Sequence, residues 1–207
     1  VAVSRNRLAG AKLLRQKGCD FLIMDDGFQS ARLHADCNLI VVDSRRGIGN
    51  GHVIPAGPMR APLLAQMRKV DALLVIGRSD KTETVVRAAA RAAKPIFEAK
   101  IKWEDSASVK GRRFLAFAGI ADPDKFFDTL QASGAWLSLT RSFPDHYQYT
   151  DEDMQELMQT AETGDLTLVT TEKDAVRFLQ GTSTAKKMAD STMVFQIELQ
   201  FDEQNTP

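Results

Sequence analysis

Short apolar runs alternate with helix-like segments along the chain of 207 residues, and this alternation limits the fold more than any other feature. Continuous apolar runs are typical of strands buried in a parallel sheet. The predicted strands are 21–24, 39–43, 72–77, 96–101, 114–119, 136–140, 166–170 and 193–201. The predicted helices are 4–17, 81–93, a helix opened by Asp122-Pro123, 151–163 and 172–179. Strands that alternate with helices predict an α/β fold with doubly wound sheets.

The alternation is interrupted twice. Segment 44–69 holds four glycines and three prolines, and a long irregular insertion of this kind is more often functional than idle. A polar, basic stretch around 106–113 separates two α/β series. We therefore predict two α/β lobes, 1–105 and 106–207. At the first helix, Ser4 is the expected N-cap and Gly18 the expected stop.

Charge and cysteine content exclude several classes of protein. Lysine plus arginine equals aspartate plus glutamate, 27 each, so the whole chain has no net attraction for nucleic acid, and we expect no nucleic-acid partner. Cys19 and Cys37 lie apart, without metal-ligand spacing, and are expected to be reduced thiols. No apolar run reaches the roughly 18 residues of a membrane span.

Asp25 and Asp26 follow the first apolar run directly. In open α/β sheets, ligands bind at the carboxyl ends of the strands, and a carboxylate there can hold Mg²⁺ as in P-loop kinases. Because Mg²⁺ keeps several waters, one or two carboxylates suffice. The alternative is structural, since Asp-Asp-Gly at 25–27 is favourable turn chemistry by itself. The residues alone leave both interpretations open.

An ordered set of motifs resembles the tetraacyldisaccharide 4′-kinase family, from about residue 5 to 178. The motifs are Met24-Asp25-Asp26-Gly27-Phe28-Gln29, Arg32-Leu33, Asp36, Leu39-Ile40-Val41-Val42-Asp43, Gly49-Asn50-Gly51, Pro55-Ala56-Gly57-Pro58-Met59-Arg60, Phe143-Pro144-Asp145-His146-Tyr147 and Thr170-Thr171-Glu172-Lys173-Asp174-Ala175-Val176. Each motif is weak alone, but their order and spacing together are specific.

The resemblance implies a kinase that transfers the ATP γ-phosphate to the 4′-hydroxyl of tetraacyldisaccharide 1-phosphate in lipid A biosynthesis. It also implies peripheral attachment to the cytoplasmic face of a Gram-negative inner membrane. The implied fold is two α/β/α lobes around an active-site cleft, the first lobe being a P-loop-kinase-like parallel sheet. The implied partners are the lipid acceptor, ATP, Mg²⁺ and the membrane surface.

The same resemblance assigns roles to six residues. Asp25 and Asp26 would hold Mg²⁺–ATP, with Gln29 beside them as a polar positioning group. The expected catalytic residues are Arg7, Arg60 and His146. Without the family, both arginines would be interpreted as solvated surface charges and His146 as a histidine at a helix start. Segment 170–174 is interpreted mainly as a helix start capped by Thr171.

The P-loop sequence Gly-x-x-x-x-Gly-Lys-Ser/Thr does not occur, and no glycine here precedes a lysine. In the family, this motif, an aspartate base and a membrane-associating helix precede the segment seen here. We therefore expect an N-terminally truncated kinase that is inactive alone. Two alternatives remain: a non-catalytic α/β module that binds metal or nucleotide, and a generic P-loop switch protein. The latter leaves the glycine–proline loop and the 143–147 motif unexplained.

Overall fold

Two sheets organise the chain. The computed structural model describes residues 1–103, 106–178 and 182–201. Two compact units are present, one comprising Val1–Ile101 with the chain from Leu199 onward, the other Lys102–Glu198. The α/β class predicted from the alternation of strands and helices is confirmed in both.

The first unit is built on a four-stranded sheet of order β1-β2-β3-β8, in which β1 pairs with β2, and β2 with β3, in parallel. Its elements are α1 (Arg7–Gln16), β1 (Leu39–Asp43), α2 (Leu63–Met67), β2 (Ala72–Ile76), a 3₁₀ turn (Asp80–Thr82), α3 (Glu83–Arg91), β3 (Ile96–Trp103) and β8 (Ile197–Phe201). Strand β2 is buried from Ala72 to Val75, and Val85 and Ala89 of α3 complete the core beside it.

The second unit has a sheet of order β5-β4-β6-β7 in which neighbouring strands are parallel. Its elements are α4 (Ser106–Val109), β4 (Arg113–Ala118), α5 (Pro123–Ala132), β5 (Trp136–Ser142), α6 (Asp151–Gly164), β6 (Thr167–Thr171), α7 (Glu172–Phe178), α8 (Ser183–Ser191) and β7 (Thr192–Phe195). Successive residues of β4 enter opposite cores: Phe114 packs with α5, and Leu115 packs with α6, α7 and α8. The unit is therefore an α/β/α sandwich.

The predicted strand 21–24 is wrong. The chain between α1 and β1 is irregular, and the side chains of Phe21 and Ile23 are 82% and 85% exposed. An apolar run indicates that its side chains favour burial. A strand also needs a neighbouring strand to satisfy its backbone hydrogen bonds. Within the described residues, no strand pairs with this run. Asp25 and Asp26 therefore lie in a turn and do not end a strand.

Three further predictions need correction. Helix α1 begins at Arg7 because Asn6, and not Ser4, caps it: the Asn6 side chain accepts a hydrogen bond from Ala9 N. The single strand predicted at 193–201 is two strands, β7 and β8, which join different sheets. The chain from Leu199 accordingly belongs to the first unit, although we predicted all of 106–207 as one lobe. Alternating apolar and polar side chains predict that a segment is a strand, but they do not predict which sheet the strand joins.

The remaining boundaries agree closely. Asp122 caps α5 through Lys125 N, with Pro123 in the first turn, as predicted. The structure adds α2, α4 and α8, which the sequence did not predict. The predicted lobe boundary at 105/106 and the predicted end of the seventh helix at residue 179 involve positions outside the described residues.

Candidate functional site

Asp26 and Arg60, 34 positions apart in the chain, form an ion pair in the first unit. Arg60 Nη1 donates to Asp26 Oδ1 at 2.7 Å and to Oδ2 at 2.8 Å. The side chains are 63% and 56% exposed, so solvent screens the pair and its contribution to stability is small. The structure thus brings together two residues that the sequence predicted for one site.

Arg7 joins this pair from the first turn of α1. Its Nη2 donates to the main-chain oxygen of Asp26 at 3.1 Å. Its Nη1 is buried and has no hydrogen-bond partner among the described residues. A buried guanidinium nitrogen without an acceptor is costly, so the contacts around α1 hold Arg7 here at an energetic cost. Three predicted site residues therefore meet at Asp26, and we call them the Asp26 group: Arg7, Asp26 and Arg60.

The turn that carries Asp26 explains the direction of its backbone. Asp26 has φ +49°, a left-handed conformation that aspartate tolerates better than most residues. Ser30 N donates to Gly27 O at 2.9 Å, and Phe28 packs against the core of the first unit. The turn is therefore attached to the folded unit although its neighbouring segments are irregular.

Arg60 leaves a loop that is closed by its own hydrogen bonds. Ile54 N donates to Met59 O at 3.0 Å, and Met59 N donates to His52 O at 3.1 Å. Asn50 Nδ2 donates to Ala56 O at 2.7 Å. Backbone bonds that end one residue before Arg60 restrict where its guanidinium can lie. This agrees with the expected role of the glycine–proline segment in aiming that side chain.

Asp25 and Gln29 are exposed, and no hydrogen bond of the described residues involves either side chain. The described part of the chain contains no group of three or more His, Cys, Asp or Glu side chains that could hold a metal ion. Two adjacent carboxylates, Asp25 and Asp26, are the available hard-oxygen donors. The metal-binding assignment stays a prediction.

His146 lies in the second unit, on the loop between β5 and α6. Its backbone has φ +61°, and its N–H donates to Gly119 O at 3.0 Å. The imidazole is 84% exposed, and its Nε2 lies 3.8 Å from Asp145 Oδ2, which is too far for a hydrogen bond. The loop therefore presents the ring to solvent, with Asp145 near it but not hydrogen-bonded to it. Its expected place opposite the aspartates stays a prediction.

The second unit contains a buried charge, Asp174, that was not predicted from the sequence. Asp174 is fully buried and accepts from Gly119 N, Tyr149 Oη, Thr171 Oγ1 and Arg177 Nη1, at 2.7–3.1 Å. Burial, and then the charge and hydrogen bond of Asp174, raise the pKa of Tyr149 above its ordinary value. The expected capping by Thr171 is present, since Asp174 N donates to its hydroxyl. The sequence did offer a signal for this site: an aspartate at the third position of a helix that begins directly after a strand.

Comparisons with known proteins identify the family of the chain. The family described as tetraacyldisaccharide-1-P 4′-kinase (LpxK) matches residues 1–207. The tetraacyldisaccharide 4′-kinase of Chelativorans sp. (strain BNC1) is 52% identical over 205 residues, covering 99% of this chain and 60% of that protein. That of Brucella suis (strain ATCC 23445 / NCTC 10510) is 50% identical over 202 residues, covering 98% and 59%.

A crystal structure of LpxK from Aquifex aeolicus in complex with ATP shares the fold, with a TM-score of 0.64 and 23% sequence identity. The match covers 98% of this chain and 60% of that one. The chain thus spans about three fifths of the length of the proteins it matches. From the match over its whole length, this chain belongs to the tetraacyldisaccharide-1-P 4′-kinase family.

Proposed function

We propose that the full-length protein transfers the γ-phosphoryl group of ATP to the 4′-hydroxyl of tetraacyldisaccharide 1-phosphate, a step of lipid A biosynthesis. The family assignment supports this reaction, because the relatives that match are tetraacyldisaccharide 4′-kinases. The meeting of Arg7 and Arg60 at Asp26 carries the proposal within this chain, since kinases need cations and carboxylates together around the phosphates.

The two arginines supply positive charge to the transferring phosphoryl group. A planar guanidinium can bind two phosphate oxygens at once. Arg7 is fixed through Nη2 at the main-chain oxygen of Asp26, which places its positive charge beside the proposed nucleotide site. Arg60 holds the Asp26 carboxylate with one nitrogen and has other N–H groups available for the nucleotide. Positioning and charge stabilisation of this kind account for most catalysis of phosphoryl transfer.

Asp25 and Asp26 fit Mg²⁺ by the chemistry of their donors, since carboxylate oxygens are its preferred protein ligands. When bound with ATP, Mg²⁺ neutralises negative charge on the phosphates. Both oxygens of Asp26 already accept from Arg60, so Asp26 would share its charge between the arginine and the metal. Gln29, two residues after Gly27, would hold a water or a phosphate oxygen as the polar positioning group.

His146 would act on the lipid acceptor. In the reaction, the 4′-oxygen forms a bond to the γ-phosphorus, the bond from that phosphorus to the ADP oxygen breaks, and the acceptor releases its proton. An exposed imidazole can accept that proton or orient the hydroxyl that loses it. The loop around His146 holds it by backbone contacts, so the ring is free to meet a substrate.

The acceptor is a lipid, and we place the protein as a peripheral component of the cytoplasmic face of the inner membrane. None of the helices in residues 1–103, 106–178 and 182–201 has the length and apolar character needed to cross a bilayer. Attachment through a part of the full-length protein outside this chain, together with the lipid substrate itself, agrees with that placement. A non-catalytic metal- or nucleotide-binding module is the less favoured alternative, because the family is one of kinases.

The test is a phosphoryl-transfer assay on the full-length protein with ATP, Mg²⁺ and tetraacyldisaccharide 1-phosphate. Asp25→Asn and Asp26→Asn are expected to lower kcat at least ~100-fold, because each removes a carboxylate from the metal and nucleotide site. Asp80→Asn is the control, since Asp80 is an exposed carboxylate elsewhere in the first unit. Wild-type kcat in both aspartate variants would contradict the site, and no turnover by the unmutated protein would contradict the function.

A further inference from the structure

We propose that the buried carboxylate of Asp174 positions the His146 loop, so that Asp174 acts in catalysis through His146 without touching substrate. This proposal rests on the proposed function, because it takes His146 to act on the acceptor. It assigns a role to Asp174 in segment 170–174, which the sequence pattern predicts mainly as a helix start.

The Asp174 carboxylate is fixed by donors on every side. Gly119 N, Tyr149 Oη and Arg177 Nη1 donate to Oδ1 at 3.1, 3.0 and 2.7 Å. Thr171 Oγ1 donates to Oδ2 at 2.8 Å. The side chain of Asp174 is fully buried and that of Arg177 is 13% exposed. A buried charge that is satisfied in this way has one arrangement, because losing any donor leaves the charge unpaired.

Two of these donors lead directly to His146. The N–H of Gly119 donates to the Asp174 carboxylate. The carbonyl of Gly119 accepts from His146 N at 3.0 Å and from Arg177 Nη1 at 2.6 Å. Tyr149, three residues after His146, donates to the same carboxylate oxygen. The loop is therefore tied to the Asp174–Arg177 pair at His146 itself and at Tyr149.

The backbone of His146 needs such ties. Its φ of +61° is uncommon for a residue that has a Cβ atom, and the surroundings must hold it there. The contacts are close: a Cβ atom built on Gly119 would lie 3.2 Å from Asp174 Oδ1, Tyr147 Cβ and Tyr149 Oη. The rings of Phe143, Tyr147 and Tyr149 also pack together, with centroids 4.9–5.5 Å apart. His146 is thus the exposed point of a rigid loop.

A purely structural role explains less of this arrangement. The start of α7 is already capped by Thr171, whose hydroxyl accepts from Asp174 N. Oδ2 of the Asp174 carboxylate bonds this cap through the Thr171 hydroxyl, whereas Oδ1 accepts from Gly119 N after β4 and from Tyr149 Oη in the His146 loop. An apolar side chain of similar size at position 174 would serve packing at least as well as a buried ion pair does. What the carboxylate adds is a fixed geometry for Gly119 and Tyr149.

The experiment measures kcat and KM of the full-length protein in a double-mutant cycle of Asp174→Asn with His146→Ala. Asp174→Asn alone is expected to lower kcat roughly 10- to 100-fold, with KM for ATP within about twofold of wild type, because misplacement affects the reacting geometry. In the His146→Ala background the same change is expected to cost no further activity. Independent, multiplying losses would overturn the positioning role.

Two controls separate the possible failures. If Asp174→Asn does not fold, Tyr149→Phe replaces it in the experiment, because this change removes only one hydroxyl. Tyr149→Phe is expected to lower kcat about threefold to tenfold. In the His146→Ala background, it is expected to have no further effect on kcat. Ser133→Ala removes a hydroxyl that donates to Leu130 O at the end of α5 in the same unit, and it is expected to leave kcat per folded enzyme unchanged. Wild-type kcat in His146→Ala would overturn the proposed role of His146 itself, a different result from independent losses.

Discussion

Asp26 and His146 are both exposed site residues with left-handed backbones, at φ +49° and +61°. Each is held by contacts from outside its own segment: Asp26 by Arg7 and Arg60, and His146 by the Gly119 carbonyl. A strained backbone of this kind persists only where the surrounding structure fixes it, and it is frequent at functional sites. The sequence could predict these residues from the family motifs, but no periodicity or spacing reveals a backbone angle.

Tyr149 gives a prediction about pH at the residue scale. Burial, the charge of Asp174 and the hydrogen bond to it raise the pKa of Tyr149 above 10.0 in the folded chain. The folded state therefore keeps the proton while the unfolded state releases it, so stability contributed by Tyr149 is present below pH ~10 and is lost as pH rises above it. Urea unfolding of the chain at pH 8 and pH 10.5 measures this loss.

Tyr149→Phe is expected to be less stable than wild type at pH 8, because Asp174 loses a donor, and to lose less stability between the two pH values. Tyr147→Phe is the matched control: the pKa of Tyr147 is also raised, chiefly by its hydrogen bond to Asp153, but this ring lies nearer the surface. Equal pH dependence of wild type and Tyr149→Phe would show that Tyr149 ionises freely in the folded chain.

At the scale of elements, a strand was predicted correctly where its apolar run also has a neighbouring strand. Strand β4 was predicted correctly because its apolar run lies inside a sheet with a hydrophobic core on each face. Segment 21–24 has the same apolar character but pairs with no strand of the described residues, and its Phe21 and Ile23 are exposed. The run at 193–201 was correctly assigned to strand, yet its division between two sheets depends on tertiary pairing that alternation does not encode.

The loop before Arg60 gives a prediction at the same scale. A Cβ atom on Gly57 would lie 2.1 Å from Asn50 Oδ1 and 2.5 Å from His52 O, the oxygen that accepts from Met59 N. Gly57→Ala must therefore open the loop and displace Arg60. We expect roughly a 10- to 100-fold loss of kcat/KM in the full-length protein, measured by phosphoryl transfer.

Gly51→Asn is the matched control in that loop. Gly51 has φ +74° and no atom within 4 Å of a built Cβ, and asparagine tolerates this backbone conformation. Its kcat/KM is expected to stay within about twofold of wild type. Wild-type activity in Gly57→Ala would show that the loop does not aim Arg60.

The whole molecule was predicted more fully than its parts. The ordered motifs identified the family, which the match over residues 1–207 confirms, although the strand expected before Asp25 is absent from the described fold. Arg7, Arg60 and His146 were predicted from that family, and Asp25 and Asp26 from the family and from the expected strand end. Arg7, Asp26 and Arg60 meet although that strand is absent. The buried Asp174 site was not predicted, because a helix-start pattern explains the sequence around it. Its burial arises only when β4, α7 and the His146 loop pack together.

The central claim is that Arg60 and Asp26 act as one unit in phosphoryl transfer. The direct measurement is kcat/KM of the full-length protein for Arg60→Ala, Asp26→Asn and the double variant, with Arg91→Ala as an exposed arginine control from the same unit. Because the pair is exposed, each single change is expected to cost less than about 1 kcal/mol of stability. We predict that the double variant loses no more activity than the worse single variant. Losses that multiply in the double variant, or wild-type activity in either single variant, would contradict the account.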